Sequence, residues 1–74
     1  MSQLYTAYIE RDQESGQYIG IVPSIPGAHT FAETIEELQV RLQEVVSLCL
    51  EEMDEEDVKM IPSFAGITQI EVAV

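Results

Sequence analysis

Apolar and polar positions alternate at both ends of the chain and change to a helical period in the middle. Residues 4–10 place Tyr5, Ala7 and Ile9 on one side and Leu4, Thr6, Tyr8 and Glu10 on the other, a strand pattern rich in β-branched and aromatic types. Asp12-Gln13-Glu14-Ser15-Gly16 is a polar turn in which the glycine can take positive φ. Residues 17–22 resume the alternation, so the two segments predict an antiparallel hairpin. Pro23-Ser24-Ile25-Pro26-Gly27 then interrupts the ladder, because two prolines remove donors and the glycine permits a sharp change of direction. Residues 28–31 predict a short third strand.

The period changes at Thr34-Ile35-Glu36-Glu37, a capping box. The threonine hydroxyl is placed to accept from the Glu37 amide, and the Glu37 carboxylate to reach back to the threonine amide. From there to Met53, Ile35, Leu38, Leu42, Val45, Val46, Cys49, Leu50 and Met53 fall on one arc at 100° per residue. The opposite arc holds Glu36, Glu37, Gln43, Glu44, Ser47 and Glu51. The acidic run Asp54-Glu55-Glu56-Asp57 opposes the negative end of the helix dipole and is expected to lead the chain off the helix. After a loop at 62–66, residues 68–74 alternate again, with Ile70, Val72 and Val74 against Gln69, Glu71 and Ala73, and predict a last strand.

The predicted order is β-β-β-α-β, an α+β fold in a single domain over residues 1–74. A right-handed crossover would set the last strand parallel to the first, giving a four-stranded sheet of order 3-2-1-4 with one helix on one face. The uncovered face is expected to carry Thr6, Tyr8, Tyr18, Val22 and Glu71, and to stay wet or meet a partner.

Composition narrows the chemistry. A 74-residue chain buries only about 60% of its unfolded surface, a thin margin that self-association commonly widens. Cys49 and His29 are each the only residue of their type, which excludes an intrachain disulfide and a zinc site built from such ligands. One unpaired thiol, no basic and apolar leader after Met1, and no apolar run near the ~20 residues needed to cross a bilayer predict a cytoplasmic chain. Fourteen acidic residues against Arg11, Arg41 and Lys59 give a net charge of −11, which repels phosphate backbones and attracts a basic partner. Direct nucleic-acid binding is not expected.

Two constellations stand out as candidate interaction surfaces. Glu37, Glu44 and Glu51 recur every seven residues and drift only ~20° per heptad, so they form one row on the outer side of the helix. Glu36 and Glu52 flank the row, and Val40 and Leu48 share that outer half, where a purely solvated face would more often be polar. Arg41 offsets the row by i,i+4 pairing with Glu37. The alternatives are a docking surface for something basic and a plain solvated face. Tyr8 and Tyr18 are the second constellation, either anchors of an oligomer interface or a cross-strand packing pair on the open face.

Several of these segments together resemble the HicB antitoxin family. They are Tyr5-Thr6-Ala7-Tyr8-Ile9-Glu10 with Asp12, Gly16-Gln17-Tyr18-Ile19-Gly20-Ile21-Val22-Pro23, Ile25-Pro26-Gly27-Ala28-His29-Thr30, and the helix-opening Thr34-Ile35-Glu36-Glu37. The chain departs from the family's frequent pattern at Ala28, where a cysteine often stands, and at Ser24, where an acid is common. The resemblance implies a partial ribonuclease-H-like fold and a partner: a small basic HicA-type toxin that cleaves messenger RNA and is neutralised by occlusion, with the antitoxin as a homodimer. Longer members carry a C-terminal DNA-binding module, which has no counterpart up to Val74, so self-regulation by this chain is not expected. The alternative is an orphan structural or regulatory homodimer without a toxin.

A ribonuclease-H-like fold raises the question of catalysis, which would need carboxylates converging on two Mg²⁺ ions about 3.5–4 Å apart. The middle of the first strand carries Thr6, Ala7 and Tyr8, with Glu10 and Asp12 only at its end and turn, and His29 has no nucleophile beside it in sequence. The acidic run 54–57 lacks the spacing and glycine of a calcium loop. No enzyme activity, metal or cofactor is expected.

Overall fold

A computed structural model describes residues 3–74. Three short strands, β1 (Tyr8–Arg11), β2 (Tyr18–Ile21) and β3 (His29–Ala32), precede a long helix α1 (Ile35–Glu52) and a single-turn helix α2 (Glu55–Lys59). The strands form one antiparallel sheet in the order β1-β2-β3. The α+β class is therefore as the sequence predicts, but the sheet has three strands. Residues 68–74 form no strand and lie exposed, so the expected fourth position beside β1 is not filled by this chain.

The hairpin is set by its turn. The amide of Asp12 donates to the Gln17 carbonyl (2.8 Å) and that of Gly16, at φ 75°, donates to the Asp12 carbonyl (2.8 Å). The Asp12 carboxylate accepts from the Ser15 hydroxyl (2.7 Å) and the Ser15 amide (3.1 Å). With Asp12 facing Gln17, Arg11 pairs with Tyr18 and Tyr8 with Ile21. This register corrects the expected open face. Tyr18 lies on the same side as Gly20 and Val22, packed against the core, while Tyr8 lies on the opposite side with Ile21. The physical reason is parity: the side-chain period is two, so one residue more or less in the turn moves a whole strand to the other face. Val22, also expected outside, is buried.

β1 starts at Tyr8, later than the strand expected from residue 4. Continued in register, residues 4–7 would face residues 22–25, but there Val22 turns its amide to Ala28 (2.8 Å) and Pro23 offers no donor. The Pro-Gly turn closes through Ile25, Ala28 and Gly27 at φ 81°, and drives Ile25 into the core.

α1 begins where the capping box places it. Thr34 is the N-cap and its hydroxyl accepts from the Glu37 amide at 3.1 Å. The reciprocal half is absent, because the Glu37 carboxylate turns instead to Arg41. The acidic run ends α1, as expected, but then opens α2: Glu55, Glu56 and Asp57 occupy a first turn, where the dipole favours acids.

The core is small. Leu38 and Leu42 of α1 press on Val22, Ile25, Ala28 and Ala32, while Val45, Val46, Cys49 and Leu50 are half-buried around it. Contact is close because the floor is made of small residues: a β-carbon at Gly20 would stand 2.7 Å from Leu42 Cδ1. α1 lies over β3 and β2 and hardly reaches β1. Accordingly Ile9, on the helix side of β1, is 43% exposed.

Two outcomes are expected. Leu38→Ala should cost about 2–5 kcal/mol and Gly20→Ala about 1–3 kcal/mol in urea unfolding, the first by a cavity and the second by displacing Leu42. The hydrogen bonds from the Ser15 hydroxyl, then from its amide, hold the Asp12 carboxyl below its ordinary value of 3.8. A depressed acid contributes stability that is present above its unfolded value and lost as the pH falls through its folded value. Carbon-detected NMR titration should therefore place Asp12 below 3.8 in the wild type and nearer to that ordinary value in Ser15→Ala, which removes the hydroxyl and keeps the amide donor.

Candidate protein-docking surface

The outer side of α1 is set by the seating of its inner side. With Leu38 and Leu42 buried, the helical period turns Glu37, Val40, Glu44, Leu48 and Glu51 together towards solvent, with Glu52 exposed beside them. These six residues, and Glu36 in the first turn, are thus exposed. Val40 and Leu48 are 57% and 60% exposed and sit between the acids of the row.

The charges of this stripe are poorly compensated. Arg41 pairs with Glu37 and also donates from Nη1 to the Phe31 carbonyl of β3 at 2.7 Å, which ties the helix to the sheet edge. Glu44, Glu51 and Glu52 have no ion-pair partner among the described residues. The last turn of α1 contains no basic residue, so Glu51 and Glu52 lie against the partial negative charge of the helix end. The acidic first turn of α2 follows directly. Ten of the fourteen acids fall between Glu33 and Asp57, so the helical layer carries most of the charge.

The two tyrosines are not brought together. Tyr18 packs on the core side under Arg11, whose guanidinium carbon is 5.5 Å from the ring centre. Tyr8 lies on the open sheet face, which pairs it with Ile21, and Ile19 with Phe31; Tyr8, Ile21 and Phe31 are exposed, and the last two are the members of this face that sequence reasoning missed. The signal was available in the parity of β3, where His29 and Phe31 alternate with Thr30 and Ala32, but assigning the face needed the turn length.

Chemistry-bearing side chains do not converge elsewhere. Among the described residues, no three of His, Cys, Asp and Glu are grouped so as to hold a metal ion, and no helix is long and apolar enough to cross a membrane. His29 is exposed at the start of β3, and Cys49 is half-buried against the core.

Residues 5–73 match the family model described as HicB-like antitoxin of bacterial toxin–antitoxin systems. A UPF0150 protein of Thermotoga maritima is 41% identical over 70 residues, covering 95% of this chain and 91% of the relative. A UPF0150 protein of Synechocystis is also 41% identical over 70 residues, covering 95% and 96%. One of Archaeoglobus fulgidus is 39% identical over 69 residues, covering 92% and 93%. No solved structure matches the chain.

The uncompensated acids oppose folding, and this can be measured without a partner. Glu51→Lys should raise the thermal midpoint at low salt, by about 0.3–1 kcal/mol of stability, through relief of both the like-charge row and the helix end. The gain should shrink as salt is added.

Proposed function

We propose that this chain, which belongs to the HicB-like antitoxin family of bacterial toxin–antitoxin systems, binds a small basic HicA-type ribonuclease toxin through the outer face of α1. The reading rests on one observation: Glu44 and Glu51 are exposed and unpaired on one line, with Val40 and Leu48 exposed between them.

A surface that only had to be soluble would not need two large aliphatic groups among its acids, and a surface that only had to be apolar would not need the acids. Together they suit a partner whose own surface is cationic and partly flat, as a protein that grips an RNA backbone must be. The acids would align with the toxin's lysines and arginines and accelerate encounter, while Val40 and Leu48 would lose water at the centre of the contact. Glu51 and Glu52 have most to gain, since a cation from the partner offsets both their mutual repulsion and the helix end. Neutralisation by this route is occlusion: the toxin's RNA-binding face is covered and no bond is made or broken by the antitoxin. The active form in this reading is a cytoplasmic homodimer that makes no direct contact with nucleic acid.

The test uses a HicA-type toxin, purified as a catalytically dead variant. In calorimetry at moderate salt, Glu44→Lys with Glu51→Lys should weaken binding at least tenfold, about 1.4 kcal/mol. Val40→Ala with Leu48→Ala should weaken it with little change in salt dependence. Unaltered affinity in both double variants would remove this face from the interaction.

A further inference from the structure

β3 is an edge of the sheet, and half of its backbone points outward. The Val22 amide donates to the Ala28 carbonyl (2.8 Å), so Ala28, and by alternation Thr30 and Ala32, turn their peptide groups to β2. His29 and Phe31 turn an amide and a carbonyl each to the outside. An edge of this kind offers donors and acceptors at the spacing that another strand needs. β3 contains no proline or lysine to blunt it, and Phe31 is 55% exposed. Extended apolar chain is at hand in the same molecule, since residues 68–74 alternate as a strand does and lie exposed.

Two of the four outward groups are nevertheless occupied. The His29 amide turns back to the Gly27 carbonyl (3.0 Å), and the Phe31 carbonyl accepts from Arg41 Nη1 at 2.7 Å. The Phe31 amide has no acceptor among the described residues. The Arg41 contact bridges two elements, reaching from α1 across ten residues of sequence to the strand. Its nitrogen stands where the amide of an added strand would stand, about 2.9 Å from the same oxygen. The guanidinium is itself held, because Glu37, one turn earlier on α1, pairs with it. That turn of the helix is fixed over β3 by the Thr34 cap and by the complete burial of Leu38. A charged donor is also harder to displace than a neutral one.

We propose that Arg41 is an edge guard: its bond to the Phe31 carbonyl closes β3 to strand addition, and Glu37 positions it. An extended chain that approaches β3 must first lift the guanidinium from the Phe31 oxygen, and in doing so strips Glu37 of its cation within a row of acids. The guard faces the sheet edge and does not rest on the toxin-docking reading, so it is tested without any toxin.

Arg41→Met keeps an unbranched stem and removes every donor, whereas Glu37→Gln removes the ion pair and leaves Arg41 in place. Both variants and the wild type are compared at matched concentrations by carbonyl-carbon NMR, amide hydrogen exchange and light scattering, with circular dichroism as the check on folding. In Arg41→Met the Phe31 carbonyl resonance should move upfield. Association beyond the wild-type mass should set in at a concentration about tenfold lower, as for the loss of one hydrogen bond from a charged donor. In the associated material the Phe31 amide should become protected. Glu37→Gln should keep the Phe31 carbonyl resonance and shift the onset of association less. If Arg41→Met loses the wild-type circular dichroism, Arg41→Gln, which shortens the reach, is read in the same way. A folded variant that associates no more than the wild type overturns the proposal. So does association that leaves the Phe31 amide exchanging freely, which would lie on another surface. A Phe31 carbonyl resonance unmoved by loss of the guanidinium overturns it too.

Discussion

The close seating of Leu38 and Leu42 on a floor of small residues is the constraint from which the other features follow. Gly20, Ala28 and Ala32 leave room beneath the helix, and a side chain at Gly20 would collide with Leu42. This contact orients α1 about its axis. It thereby decides that Glu44, Leu48 and Glu51 face outward, and that the helix stands over β3 and β2 with β1 left short of cover. Ala28 belongs to the same core as Leu38. The site is fully buried beside Ile25 and Leu38, where a small side chain fits.

Electrostatics and packing act on separate sides of the molecule. Among the described residues no polar or charged one is buried, so the core carries no desolvation cost of the kind that ionic groups impose. The acids are confined to solvent and chiefly to the helical layer. Two of the three cations have intramolecular work: Arg41 joins α1 to Glu37 and to the carbonyl of Phe31, and Arg11 covers the ring of Tyr18. Lys59 is in the last turn of α2, where the helix dipole favours it.

Much of this was legible from residue order, and the failures have physical causes. The helix was legible because its signals agree: a threonine cap, a 3.6-residue apolar period and an acidic stop place it at 35–53, within one residue of the observed end. The hairpin and the Pro-Gly turn were legible from their punctuation. The face of Tyr18 was not, since alternation specifies which residues share a side but not which side meets the core until the turn is counted. The last strand was not because pairing is a tertiary property; residues 68–74 have the composition of a strand and no strand partner among the described residues. The short second helix was not legible, because acids that end one helix are equally suited to begin the next. On the candidate site, the outward row was legible from periodicity, whereas the exposed Ile21 and Phe31 on the open face depended on register.

The confinement of acids to one layer has a consequence for approach in solution. At physiological ionic strength a field decays over about 8 Å, much less than the 42 Å longest dimension of the molecule. An incoming polycation therefore senses only whichever flank it nears, and the pull is uneven around the circumference. The molecule acts less like a charged sphere than like a compass needle, turning one flank to the visitor before any surfaces touch.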